Sequence, residues 1–225
     1  MRREVTTTGN IPDSEAFLRI RKRLEDDVGG LMELVLRETR QNSDFIPPFW
    51  AFARMLFPVA EATGDLLYRT TPSKNLLNLF QNDLSNFNVG YRDVGALVIL
   101  IYRHSLIHQD ELKTLISDET RIFSWGLGFG GGVNHLEVLN VNRGRSIPVI
   151  IQFDLSQFYK HLLELLAEKS SLDFQGRAGR RYEEWKMEWL PRDPDSISNI
   201  EKTAIEEARK LHENWRPIFP GIPQA

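Results

Sequence analysis

The chain has 225 residues, 41% hydrophobic and 26% charged, which is enough to bury a core in one large domain or in a domain with an appendage. A formal charge of −3 gives no general pull toward nucleic acid, so any RNA contact requires a local basic patch. The absence of cysteine excludes disulfides, thiolate catalysis and cysteine zinc sites, no apolar run reaches a membrane span, and Thr6-Thr7-Thr8 stands where a signal core would, so a cytoplasmic protein without a cofactor is expected.

The first helix is expected to start near Pro12, a residue favoured at the first helical position. Phe17, Ile20, Leu24, Val28, Leu31 and Val35 then recur every three or four residues, a single apolar stripe. The charges around it read as a solvated face. Gly29-Gly30 interrupts the stripe and marks a bend or a close helix crossing.

Pro47-Pro48 opens a second helix that is apolar all round, from Phe49 and Trp50 to Phe57 and Val59, and Pro58 is expected to kink it. Arg54, Glu61 and Asp65 share one face of that helix. Two readings of them stand side by side. In one, Glu61 and Asp65 neutralise Arg54, Arg69 or Arg103 inside the bundle; in the other, Glu61 and Asp65, with Arg54 beside them, hold Arg103 and His108 in orientation. Thr71-Pro72-Ser73 starts a third helix, with Thr71 or Ser73 as cap.

The central element is Val89 to Ser117. It runs apolar from Ala96 to Ile101, as a helix inside a bundle does, and then carries Arg103, His104 and His108. A buried cation needs a partner or a task. Arg103 and His108 differ by roughly 140° around a helix, and both long side chains can still reach one cleft. His104 and His108 lie on one face at i,i+4. Four helices with short links make an up-and-down bundle.

The run Arg103-His104-Ser105-Leu106-Ile107-His108 resembles the active-site motif of the HEPN superfamily, and LIYRHSLIHQDEL resembles a group of bacterial HEPN-like proteins of uncharacterised function. The likeness covers about Ile11 to Ser117 in architecture and six residues in motif. It implies metal-independent RNA cleavage in which the ribose 2′-hydroxyl attacks its own phosphate. His108 would move the proton, Arg103 would stabilise phosphate charge, and His104 would support the site. It also implies a homodimer with a composite cleft.

After Ser117 the period changes. Arg121 to Phe129, Val133 to Val141 and Ile147 to Phe153 read as three strands of an antiparallel meander. Gly130-Gly131-Gly132 follows a strand but opens another strand pattern, with no Gly-Lys-Ser/Thr, so it reads as a hairpin turn and not a phosphate loop. His135 is read as a surface or half-buried histidine. Leu155 to Lys169 is an amphipathic helix for the sheet to carry. Gln175 to Arg181 is read as a link. Tyr182, Trp185 and Trp189 follow it, and Trp185 and Trp189 read first as a packing face and second as a base-stacking surface. Ser198-Asn199-Ile200-Glu201 fits a capping box for a last helix, and Pro217, Pro220 and Pro223 form a tail of period three.

The fold expected is therefore α+β, mainly α. The bundle occupies residues 1–117, a small sheet plus helix 118–170, and a linker, helix and proline-rich tail 171–225. Two functions remain open: a metal-independent endoribonuclease of toxin or defence type using Arg103, His108 and His104, with RNA as partner, or a non-catalytic structural or protein-binding module. In the second, Arg103 and His108 join a buried polar network with Glu61 and Asp65.

Overall fold

The computed structural model describes residues 11–41, 47–103, 114–116, 121–140, 147–185, 207 and 210. Helix α1 (Asp13–Arg23) passes through a π-helical turn (Leu24–Gly29) into α2 (Gly30–Gln41). The apolar stripe is the reason these elements stay in place: Phe17, Ile20, Leu24, Val28 and Val35 are all buried. A Cβ added at Gly29 would lie 2.9 Å from the Tyr159 hydroxyl, so Gly29 sits at a close crossing, whereas Gly30 faces open space.

Helix α3 (Pro47–Tyr68) spans 22 residues and runs on through Pro58. Proline has no N–H, so the carbonyl one turn earlier, that of Arg54, loses its usual partner there. Helix α4 (Pro72–Asn78) has Thr71 at its N-cap position, as expected, and the Asn75 side chain inside the helix reaches back to accept from the Thr70 N–H at 2.7 Å. A π turn (Leu79–Asp83) and a 3₁₀ turn (Leu84–Asn86) lead to α5 (Gly90–Val98), which continues as a π stretch (Ile99–Arg103). Tyr91, Val94 and every residue from Ala96 to Val98 are buried, with Ile99, Ile101 and Tyr102 beyond them. This is the all-round burial that the apolar run demands.

Among the described residues four strands form one sheet: β1 (Leu115–Ile116), β2 (Arg121–Gly128), β3 (Val138–Asn140) and β4 (Ile147–Asp154), in the order β1-β2-β4-β3. The α+β, mainly α class holds, but the antiparallel meander does not. Strands β2 and β4 pair in parallel, from Arg121 with Ile147 to Gly128 with Asp154. Strand β3 pairs antiparallel with β4 on its far side. The chain leaving β2 thus skips one place, and β4 fills the gap. A meander and this arrangement share the same run of strand and turn residues; they differ only in which neighbour each edge finds, and that is decided by long-range packing.

Helix α6 (Leu155–Ser170) starts at the end of β4 with Asp154 as its cap; the carboxylate accepts from Ser156 N–H at 2.8 Å and Gln157 N–H at 3.0 Å. Its Phe158, Leu162, Leu165 and Leu166 join Phe153, Ile151 and the bundle helices in a single apolar cluster. Phe158 meets Phe153 at 5.1 Å and Phe80 at 5.7 Å between ring centroids.

The stretch expected as a link instead enters helix α7 (Arg177–Trp185). The reason lies far away in sequence. Buried Asp13 accepts from the N–H groups of Phe174 (2.9 Å), Gly176 (2.8 Å) and Gly179 (2.8 Å), so a carboxylate on α1 serves the orphan donors at the start of α7. The approach is so close that a Cβ at position 179 would fall 1.8 Å from the Ile11 carbonyl oxygen, which only glycine permits. The expected last helix, the proline tail and Trp189 lie outside the described residues, except for Glu207 and Lys210, both helical. No helix among the described residues is long and apolar enough to cross a membrane.

Candidate functional site

Of the three motif residues, Arg103 is described, and His104 and His108 lie outside the described residues. Arg103 ends the π stretch that continues α5, and it is 7% exposed. Its Nε donates to Glu61 Oε1 at 2.6 Å, and its Nη2 lies 2.5 Å from the same oxygen. Glu61 comes from the middle of α3, so the ion pair ties the two most apolar helices together.

Asp65, one turn further along α3, has a different set of partners. It accepts from Asn75 Nδ2 (2.8 Å), Arg181 Nε (2.7 Å), Arg181 Nη2 (3.1 Å) and Trp185 Nε1 (2.6 Å). Arg181 also reaches Glu184 at 3.0 Å. The structure therefore brings Glu61 to Arg103 and takes Asp65 to α7. A desolvated carboxylate accepting four N–H groups is well satisfied. It fixes the edge of the Trp185 indole, and sequence reasoning had no signal for it, because Arg181 stood in a stretch without helical pattern.

Arg54, the third residue placed on this face, is exposed and lines a cleft of about 440 Å³ between α1, α3 and α7. Met55, Pro58, Val59 and Ala62 of α3 form one wall with it. Helix α1 and the π turn contribute Arg19, Ile20, Arg23, Asp27 and Val28, and α7 contributes Tyr182 and Trp185. The Arg19 guanidinium sits 5.7 Å from the centre of the Tyr182 ring and is paired with Glu15. The rings of Tyr182 and Trp185 are 5.5 Å apart.

A second polar cluster lies between α5, the sheet and α6. The Asp154 N–H donates to His135 Nδ1 at 3.1 Å, so the neutral ring carries its proton on Nε2. That Nε2 donates to the Tyr91 hydroxyl at 2.8 Å, which donates on to His161 Nδ1 at 3.0 Å. Burial, and then the neighbouring His161, hold His135 down to about 3, and burial also lowers His161. Tyr91 is raised well above its ordinary value by burial and by Asp154. Every member is neutral near pH 7, and the chain of bonds locks three elements together. His135 is half-buried.

The glycine loop closes on the same corner. Gly130 and Gly131 have φ of +67° and +85°; Gly130 N–H donates to Ser156 Oγ (3.0 Å) and Gly131 N–H to Asp154 Oδ2 (2.9 Å). These N–H groups are spent on the cap of α6. The glycines do turn the chain, but toward β3 on the far side of β4, and not into a hairpin between adjacent strands. Elsewhere, Glu207 inserts against α5. Its Oε2 accepts from Leu97 N–H at 3.1 Å, its Oε1 has no hydrogen-bond partner among the described residues, and burial pushes its carboxyl up to about 7. Among the described residues no group of three or more metal-binding side chains comes together.

No family model matches the chain, no curated protein matches its sequence, and no solved structure matches it.

Proposed function

We propose that this chain is a non-catalytic helical binding module, with Arg103 and Glu61 as a buried polar node and not a nuclease centre. The observation that carries the reading is the state of Arg103: 7% exposed, with Nε and Nη2 both on Glu61. An arginine that stabilises a developing phosphate charge must aim its donors at the place where the charge appears. Here two donors are already committed to a carboxylate, and breaking a buried pair of this kind costs about 3–5 kcal/mol. The acidic net charge points the same way, since it offers no broad attraction for RNA. RNA and a second copy of the chain, the partners implied by the motif, play no part in this reading.

The test is purified protein with mixed single-stranded RNA and a chelator, followed by thermal melts of Arg103→Ala and His108→Ala. The expected result is intact RNA with the wild type and a sharply lowered melting temperature for Arg103→Ala. Cleavage by the wild type that either substitution reduces by about 100-fold or more, with the fold retained, would replace the module reading by the ribonuclease one.

A further inference from the structure

The cleft between α1, α3 and α7 has the dimensions and chemistry of a ligand site. Its volume of about 440 Å³ lies within the range of roughly 300–1,000 Å³ that small-molecule sites occupy. Its lining combines three kinds of group. Ala62, Val59 and Met55 supply an apolar wall, Tyr182 and Trp185 an aromatic one, and Arg19, Arg23 and Arg54 a guanidinium side, with Asp27 beside Arg23 and Glu15 paired to Arg19.

Two features separate this from a chance groove. The aromatic wall is held in place: the Trp185 indole N–H is fixed on buried Asp65, and Arg181 from the turn before is fixed on the same carboxylate. The start of the same helix is pinned by Asp13. A surface helix secured at both ends by carboxylates from two other helices presents its rings with little freedom to lose on binding. The positive side is also adaptable. A guanidinium has five donors in a planar fork, so Arg19 on Glu15 and Arg23 near Asp27 keep donors available for a further acceptor. Arginine also stacks on rings, as Arg19 does on Tyr182.

We infer that the cleft binds a small aromatic anion, a planar ring system carrying one carboxylate or sulfonate. The ring would lie against Tyr182 and Trp185 over the Met55 and Ala62 wall, and the anionic group would meet the arginines. A neutral ring of the same shape lacks the charge-assisted bonds, and a larger polyanion lacks the apolar fit. This rests on the module reading only in supposing that the chain's work is to bind; its site does not include Arg103.

The experiment uses the full chain with 1-anilinonaphthalene-8-sulfonate as the fluorescent probe, displaced by 1-naphthoate or by its neutral isostere 1-naphthamide. The expected result is saturable binding of one probe per chain, displacement by 1-naphthoate, and displacement by 1-naphthamide about tenfold weaker. Ala62→Trp, which fills the cleft, should abolish binding. Arg23→Glu, on a side chain 79% exposed where the fold is not at risk, should weaken naphthoate about fivefold without changing the circular dichroism. Probe binding that does not saturate, that survives Ala62→Trp, or that naphthamide displaces as well as naphthoate overturns the assignment. The RNA assay on the same preparation keeps the two ideas apart. Cleavage there sinks the module reading and leaves the cleft standing, whereas lost probe binding with intact RNA sinks only the cleft.

Discussion

Arg103 and Glu61 show how little of a side chain's role its identity reveals. Both are charged, both sit on helices that bury large apolar faces, and inside the bundle they pair with each other. Removing either alone breaks the pair inside the bundle, so Arg103→Met or Glu61→Leu should each cost about 3–5 kcal/mol, read from urea unfolding. The double variant should recover most of that loss, because two apolar side chains can fill the same space. Singles that cost less than about 1 kcal/mol would show that the pair is solvated in solution. Tyr91 is a second test at this scale. Tyr91→Phe strands the His135 Nε2–H and the His161 Nδ1, both at least half-buried, and an unmet buried polar group costs about 1–3 kcal/mol. A change near zero in the melting curve would mean that water replaces the hydroxyl.

Helix α7 is the element whose existence depends most on distant residues. Its start is served by Asp13 and its end is tied to Asp65, so Asp13→Ala and Asp65→Ala should each release it without unfolding the bundle. The loss of a cap alone is worth about 0.5–2 kcal/mol. Limited proteolysis should then cut near Arg177–Arg181 in the variants before it cuts the wild type, and Trp185 emission should shift to the red. Equal resistance in all three proteins would show that apolar packing of Ala178 and Trp185 holds the helix unaided. This dependence explains what could and could not be read in advance. The stripe from Phe17 to Val35 follows the helical period, and α1, the π turn and α2 bury it as that period requires. The strand composition of β2 and β4 was equally legible. Their parallel pairing was not, because register across a crossover leaves no mark within either strand. Nor was α7, since glycine and arginine at 175–181 look like a link until Asp13 and Asp65 arrive. For the candidate cleft, the aromatic and basic residues around Tyr182 were visible as a cluster, but the walls from α1 and α3 come from residues more than a hundred positions away.

For the molecule as a whole, two buried groups set opposed dependences on pH. His135 stays neutral in the fold down to about 3, whereas in the unfolded chain it takes a proton near its ordinary value of 6.5. Stability therefore falls as pH drops from about 6.5 toward 3, by up to about 1.4 kcal/mol per pH unit. Glu207 acts in the other direction. Its carboxyl keeps its proton in the fold up to about 7 and loses it near 4.5 when unfolded, so its contribution is full below 4.5 and is lost as pH rises through 7. Between about pH 4.5 and 6.5 the two slopes oppose each other, so urea unfolding between pH 4 and 8 shows each in the variant that removes the other: His135→Gln should leave stability falling toward pH 7, and Glu207→Gln should leave it rising from pH 4 to about 6.5. Variant profiles that both follow the wild-type one would contradict both assignments. The bond from Gly179 to Asp13 has one further consequence, and it concerns synthesis. The two residues are 166 positions apart. At a translation rate of about 5–20 residues per second, the first helix leaves the ribosome on the order of ten to thirty seconds before its closing partner exists. For most of that interval the stripe from Phe17 to Val35 has no α6 to cover it, and for all of it no complete α7. The N-terminal half of the newborn chain should therefore reach the native state only when the last third emerges.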